Sequence, residues 1–166
     1  MRISDTLLPE FDREMAVTRK LLERVPDGQF DWKPHPTSMA LGRLAGHLAE
    51  LPHWVSITLT QDSFDMNTPR PEGDQSPATR QAVLTTFDER VAAARAALAG
   101  RGDGELMAPW TLLQGKQALF TMPKVTVLRT FVFNHMVHHR GQLSVYLRMQ
   151  GVPIPSIYGA SADEAI

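Results

Sequence analysis

The sequence predicts an all-α protein, a four-helix bundle formed by a single domain over residues 1–166. Four long segments carry apolar side chains at the spacing of an amphipathic helix. The stretches between them are rich in proline, glycine and aspartate, which favour turns and loops. A chain of 166 residues is also long enough to bury one core but short for two domains.

The first two predicted helices are separated by a loop that contains two prolines. The first runs from about Ile3 to Val25 and ends at the turn-forming sequence Pro26-Asp27-Gly28. The second runs from about Met39 to Thr60, with Thr37-Ser38 as its N-cap. Pro52 lies inside this second segment and is expected to kink it, because the proline ring clashes with the carbonyl one turn earlier.

The third predicted helix begins at Ser76-Pro77, a capping residue followed by proline, and ends near Leu98. Residues 62–76 before it form a predicted loop of about fifteen residues, which is long for a helix connection. A loop of this length can cross one end of a bundle, so helices two and three need not be antiparallel neighbours.

The last third of the chain predicts one more long helix. Residues 101–123 contain Gly115-Lys116 between two apolar runs, a pattern consistent with a short extended hairpin. The fourth helix starts near Lys124 and ends at Gly151, a residue type that favours the position after a helix. The tail beyond it is irregular, yet Ile154 and Tyr158 indicate that it packs against the domain.

Composition argues against several classes of protein. The chain contains no cysteine, so it can form neither disulfides nor thiolate metal sites, and it has no cysteine nucleophile. Its 17 basic and 18 acidic residues give a net charge of −1, which does not suit a nucleic-acid partner. No apolar run reaches the ~20 residues of a membrane span, and the N-terminus lacks a signal-peptide core. We therefore expect a cytoplasmic protein without membrane or nucleic-acid partners.

Three of the six histidines lie close together in the fourth helix: His135, His138 and His139. His135 and His139 are four residues apart, so they share one helix face, which also carries Leu128 and Leu143 and should face the interior. Two imidazoles at this spacing can bind one metal ion, each at ~2.0–2.1 Å for zinc. The alternative is that both are hydrogen-bonded core residues.

A third ligand would have to come from another helix, and His47 is the best-placed candidate. It shares a face with Leu51 and Trp54, whereas His53 lies about 120° around the helix and is expected outside the site. Three protein ligands leave a coordination position for water or substrate, as in catalytic metal sites.

The residues near the histidines offer two candidates for an assisting role and do not match two known metal-site motifs. His138 and Arg140 are candidates for assisting catalysis or orienting an anionic substrate, although a rim histidine and a surface arginine are the alternatives. Met136 stands where a zincin motif requires glutamate. A di-iron site would need two Glu-x-x-His motifs, and only Glu50 to His53 matches.

The stretch HMVHHRGQLSVYLRMQGVPIPSIYGASADE resembles the closing segment of the DinB/YfiT-like family of metal-dependent proteins, and GRLAGHLAELPHW resembles its second-helix segment. The resemblance spans nearly the whole chain. It implies a bundle of up-down-down-up topology, homodimers, and a metal bound by His47, His135 and His139. Characterised relatives include transferases and isomerases that use low-molecular-weight thiols such as bacillithiol or mycothiol.

Residues and resemblance together predict a metal-dependent enzyme, either a thiol-dependent S-transferase or isomerase or a hydrolase, that acts on a small molecule. Zinc or nickel is the expected ion, and iron, copper and manganese also accept such ligands. Any thiol must come from a ligand, because the chain has no cysteine. The alternative function is a non-catalytic, dimeric metal-binding module of a stress response.

Overall fold

The computed structural model describes residues 2–69 and 77–165. No helix within these ranges is long and apolar enough to cross a membrane. The elements are α1 (Ile3–Leu22), α2 (Leu41–Glu50), α3 (His53–Thr60), β1 (Ser63–Asp65), α4 (Arg80–Leu98), α5 (Asp103–Met107), β2 (Pro109–Gln114), β3 (Gln117–Pro123), α6 (Lys124–Val127), a π-helical segment (Leu128–Asn134) and α7 (His135–Met149).

A three-stranded mixed sheet stands beside the helices. β1 pairs in parallel with β2, and β2 pairs antiparallel with β3. The prediction of an all-α four-helix bundle with up-down-down-up topology is therefore wrong, since the fold is mixed α/β. The hairpin prediction is confirmed, because β2 and β3 pair antiparallel. Gly115 lies in the turn between them with a φ of 61°. β1 lies within the residues predicted to form a loop.

The predicted second helix is two helices, α2 and α3, which are divided next to Pro52. The predicted N-cap at Thr37-Ser38 is wrong, because the helix begins after Ala40. Carbonyl groups of the preceding loop satisfy its first amides instead: Leu41 and Gly42 donate to Trp32 and Phe30, each at 2.9 Å. Gly42 is needed for this contact, because a Cβ atom there would lie 2.2 Å from the Phe30 ring.

The remaining helix ends differ by a few residues from the predictions. α1 ends at Leu22 instead of Val25. α4 starts at Arg80, where the Thr79 hydroxyl caps it by accepting the Ala82 amide at 3.2 Å; the predicted cap at Ser76 lies outside the described residues. The last helical stretch begins at Lys124 as predicted.

Two groups of buried side chains hold these elements together. The larger one fills the space between the long helices and includes Phe11, Leu44, Phe87 and Leu143. The smaller one lies under the sheet and is built from Ile57, Trp110 and Val127, with partly buried aromatic and aliphatic neighbours. The sheet therefore covers a second apolar region, next to α3 and the π-helical segment.

Candidate metal site

His47, His135 and His139 lie together where α2 packs against α7. One ring nitrogen of each lies within 4.8 Å of those of the other two. The His135 Nε2 atom is 3.4 Å from His47 Nε2 and 2.8 Å from His139 Nε2. The four-residue spacing on α7 stacks two of the rings on one face, and the packing of α2 brings in the third. These are the three residues that the sequence predicts to meet.

The donor set suits a divalent metal ion. Two tetrahedral ligands at ~2.0–2.1 Å from zinc hold their nitrogens about 3.3 Å apart. The His47–His135 distance of 3.4 Å agrees with this separation. The His135–His139 distance of 2.8 Å is that of a hydrogen bond between two rings, so binding requires these nitrogens to separate by about half an ångström.

Electrostatics keeps His139 in the form that binds metals. The side chain is buried, and this burial lowers its pKa from the usual value for histidine. The neighbouring His135 and His138 lower the pKa further, while the hydrogen bond to Gln142 acts in the opposite direction. Metal ligation requires the neutral imidazole, so a lowered pKa favours it near neutral pH.

Gln142 orients the His139 ring. Its Oε1 atom lies 2.7 Å from His139 Nδ1. A proton on Nδ1 that is donated to this oxygen leaves the lone pair of Nε2 available for a metal. No role was predicted for Gln142 from the sequence; the signal that could have found it is an amide three residues after a predicted ligand.

A π-helical segment, Leu128–Asn134, ends directly before His135. Such segments are rare and occur frequently at functional sites. Here Phe131 and His135 both line a cavity, while Val132 is fully buried in the core. Regular helical spacing would allow either Phe131 or Val132 to share a face with His135. With the π-helical segment before His135, it is Phe131 that lies on the cavity side with His135.

A cavity of about 470 Å³ borders His47 and His135. Thr68 also lines it, and the other described side chains of the lining are aromatic or aliphatic. These apolar lining residues are Trp54, Phe64, Met66, Trp110, Leu112, Phe120, Val127 and Phe131. Sequence reasoning missed the cavity because five of them lie on β1, the turn after it, β2 or β3.

His138 and His53 lie outside the three-histidine cluster, as predicted. His138 is exposed, and its ring centroid lies 4.8 Å from that of His139. Its role as an assisting residue stays a prediction.

Arg140 points away from the histidines toward α1 and the C-terminal segment. The expected alternative of a surface arginine is wrong, since the side chain is 1% exposed. Its guanidinium donates to the Glu14 carboxylate at 2.7 Å, to the Thr18 hydroxyl at 3.1 Å and to the Tyr158 hydroxyl. Tyr158 in turn donates to the same carboxylate at 2.7 Å. Arg140 is not among the residues that line the cavity, so a substrate-orienting role stays a prediction without geometric support.

Comparisons with known proteins agree with the resemblance in the sequence. The model of the DinB family matches residues 1–165. The uncharacterized protein YrdA of Bacillus subtilis is 26% identical over 161 residues, which cover 96% of this chain and 90% of YrdA.

Solved structures show the same fold. The DinB-like protein YjoA of Bacillus subtilis superposes with a TM-score of 0.72 at 19% identity, covering 92% of this chain and 97% of YjoA. A DinB-like protein from Bacillus cereus ATCC 10987 superposes with a TM-score of 0.69 at 25% identity, covering 91% of this chain and 95% of that protein. Because the family model matches nearly its whole length, the chain belongs to the DinB family.

Proposed function

We propose that this chain is a metal-dependent enzyme that binds one divalent ion through His47, His135 and His139. The observation that carries the proposal is the convergence of three imidazoles within 4.8 Å of one another, two of which line a cavity large enough for a small molecule. Three protein ligands leave a coordination position for substrate or water. Zinc or nickel is the leading choice, and iron, copper and manganese are the other candidates.

The proposed chemistry is the activation of a nucleophile. A bound divalent ion lowers the pKa of a ligated thiol or water, which supplies a nucleophile near neutral pH. His47 and His135 border the cavity, so a nucleophile held there would face a substrate in the same space. A proton on His139 Nδ1 that is donated to Gln142 Oε1 would hold the ring in the tautomer that ligates through Nε2. The reaction is then thiol transfer or isomerisation with a low-molecular-weight thiol, or hydrolysis with water.

Metal titration followed by a turnover screen tests this function. Metal-depleted protein is expected to bind one zinc or nickel ion per chain, measured by elemental analysis after gel filtration. The loaded protein is then incubated with small thiols and a model electrophile, and product formation is expected only with metal. A lack of stoichiometric metal binding would contradict the proposal, and repeated lack of metal-dependent turnover would favour a binding module.

One observation supports that second function, a non-catalytic dimeric module in the cytoplasm. Val137, Val145 and Met149 are exposed on α7 by 39%, 56% and 57%. Together with Gly141 they are spaced four residues apart, so they form one apolar stripe along the helix. Exposed apolar stripes of this kind mark protein–protein contacts, and a second copy of the chain is the proposed partner.

Replacing Val145 by aspartate is expected to raise the dimer dissociation constant at least about tenfold, because it buries a charge without a partner. Sedimentation velocity over a concentration series measures this effect. Leu119→Asp is the matched control, since Leu119 is 43% exposed on β3, away from the stripe. An unmodified protein that stays monomeric at every concentration would rule the interface out.

A further inference from the structure

We propose that the cavity beside the three histidines selects a neutral substrate with an apolar, planar body and one polar reactive group. This inference rests on the proposed function, because it names the substrate class of the same site. A volume of about 470 Å³ lies in the range of small-molecule sites.

The first argument is the lack of charge. Among the described residues that line the cavity, none is acidic, lysine or arginine. A carboxylate or ammonium group that lies against these apolar side chains, away from the histidines, loses its hydration and finds no ion partner, which weakens binding. Arg140, the buried arginine closest in sequence to the histidines, is already paired with Glu14. The described apolar part of the cavity wall therefore disfavours a charged group on the body of the substrate.

The second argument is the arrangement of aromatic rings. The Phe120 and Phe131 rings are stacked, with centroids 4.9 Å apart and an interplanar angle of 3°. The Trp54 and Phe64 rings meet edge to face, with centroids 5.0 Å apart. These four side chains supply large rigid faces, and aromatic or other flat apolar groups pack well against such faces. The body of the substrate is thus expected to be planar and apolar.

The third argument concerns orientation. The polar side chains among the described lining residues are His47, His135 and Thr68. A ligand with one carbonyl, hydroxyl or similar group gains most when that group lies beside the imidazoles and its apolar body lies against the rings. In a thiol-transfer reaction the apolar part of the cavity would therefore hold the electrophile, because its described lining residues offer the carboxylates of a thiol no lysine or arginine.

Calorimetric titration of metal-free protein with 2-naphthylmethanol and 2-naphthoate tests the proposal. The two probes share one ring system and differ in charge, and metal-free protein prevents the carboxylate from binding as a metal ligand. The alcohol is expected to bind at least about tenfold more tightly than the naphthoate, with a negative heat-capacity change.

A charge placed at the cavity should change this preference. Met66 lines the cavity and is 56% exposed, so Met66→Arg is expected to fold normally and to offer a cation to the naphthoate. Affinity for naphthoate relative to the alcohol should then rise at least about tenfold. Met107→Arg is the matched control, since Met107 is 54% exposed on α5 and does not line the cavity.

Three outcomes would overturn the inference: no binding of either probe, binding of naphthoate as tight as that of the alcohol, or equal effects of Met66→Arg and Met107→Arg. Metal titration of the same preparation separates this failure from that of the proposed function. Protein that binds one ion but prefers naphthoate keeps its metal site and loses the substrate assignment. Protein that prefers the alcohol but binds no ion keeps the substrate assignment and loses the proposed metal site.

Discussion

Replacing His135 by alanine is expected to lower the affinity for a divalent ion by more than about 100-fold. The Nε2 atom of His135 lies 3.4 Å from that of His47 and 2.8 Å from that of His139. Loss of a group that only orients a ligand already costs about 10–100-fold, so the loss of a ligand itself should cost more. Competition with a chromophoric chelator measures the affinity.

Two further variants test whether the loss of metal affinity is specific to the three proposed ligands. His138→Ala removes an exposed imidazole from the same helix and should leave the affinity unchanged. Gln142→Ala should weaken binding by about 10–100-fold, because the His139 ring loses the group that fixes its tautomer. Equal metal affinity in the His135 and His138 variants would show that the three rings are a hydrogen-bonded core cluster.

Replacing Arg140 by alanine is expected to lower the free energy of unfolding by about 3–5 kcal/mol. The Arg140 and Glu14 side chains are 1% and 7% exposed, and their ion pair is 2.7 Å long. Removal of the guanidinium leaves a buried carboxylate with the Tyr158 hydroxyl as its hydrogen-bond donor. The Arg13 guanidinium, 3.7 Å away and largely exposed, remains as a weaker ion partner. Urea unfolding followed by circular dichroism measures the change.

The comparison with an exposed ion pair shows how much of this effect comes from burial. Arg129→Ala breaks the pair with Glu10, where the arginine is 46% exposed, and should cost about 0–1 kcal/mol. The double variant Glu14→Leu with Arg140→Met removes both charges and should recover much of the lost stability. If Arg140→Ala costs no more than Arg129→Ala, water solvates the uncovered carboxylate and the network contributes little.

The helices could be predicted because their information is local. Apolar spacing over about twenty residues marks each one, and Pro52 and Gly151 mark a break and an end. β1 could not be predicted, because it has three residues in a polar stretch and pairs with residues 111–113. Parallel pairing over such a distance leaves no period in the sequence, so the fold class was wrong although the hairpin was found.

In the candidate site, too, the residues marked by local spacing could be predicted, and those that depend on distant contacts could not. His135 and His139 could be predicted from four-residue spacing on an apolar face, and His47 from its place on another such face. The burial of Arg140 was not predicted, because its partner Glu14 is 126 residues away, on a helix whose position the sequence does not give. The cavity was missed for a related reason: the sequence gives neither the position of the predicted hairpin against the helices nor the pairing of β1 with it.

The separation of the histidines from the sheet has a consequence for how this protein can diverge. The imidazole nitrogens belong to α2 and α7, whereas Trp110, Leu112 and Phe120 belong to a hairpin. A substitution in the hairpin changes the shape of the cavity without replacing a histidine. Related chains can therefore differ in the shape of this cavity while keeping the same three histidines.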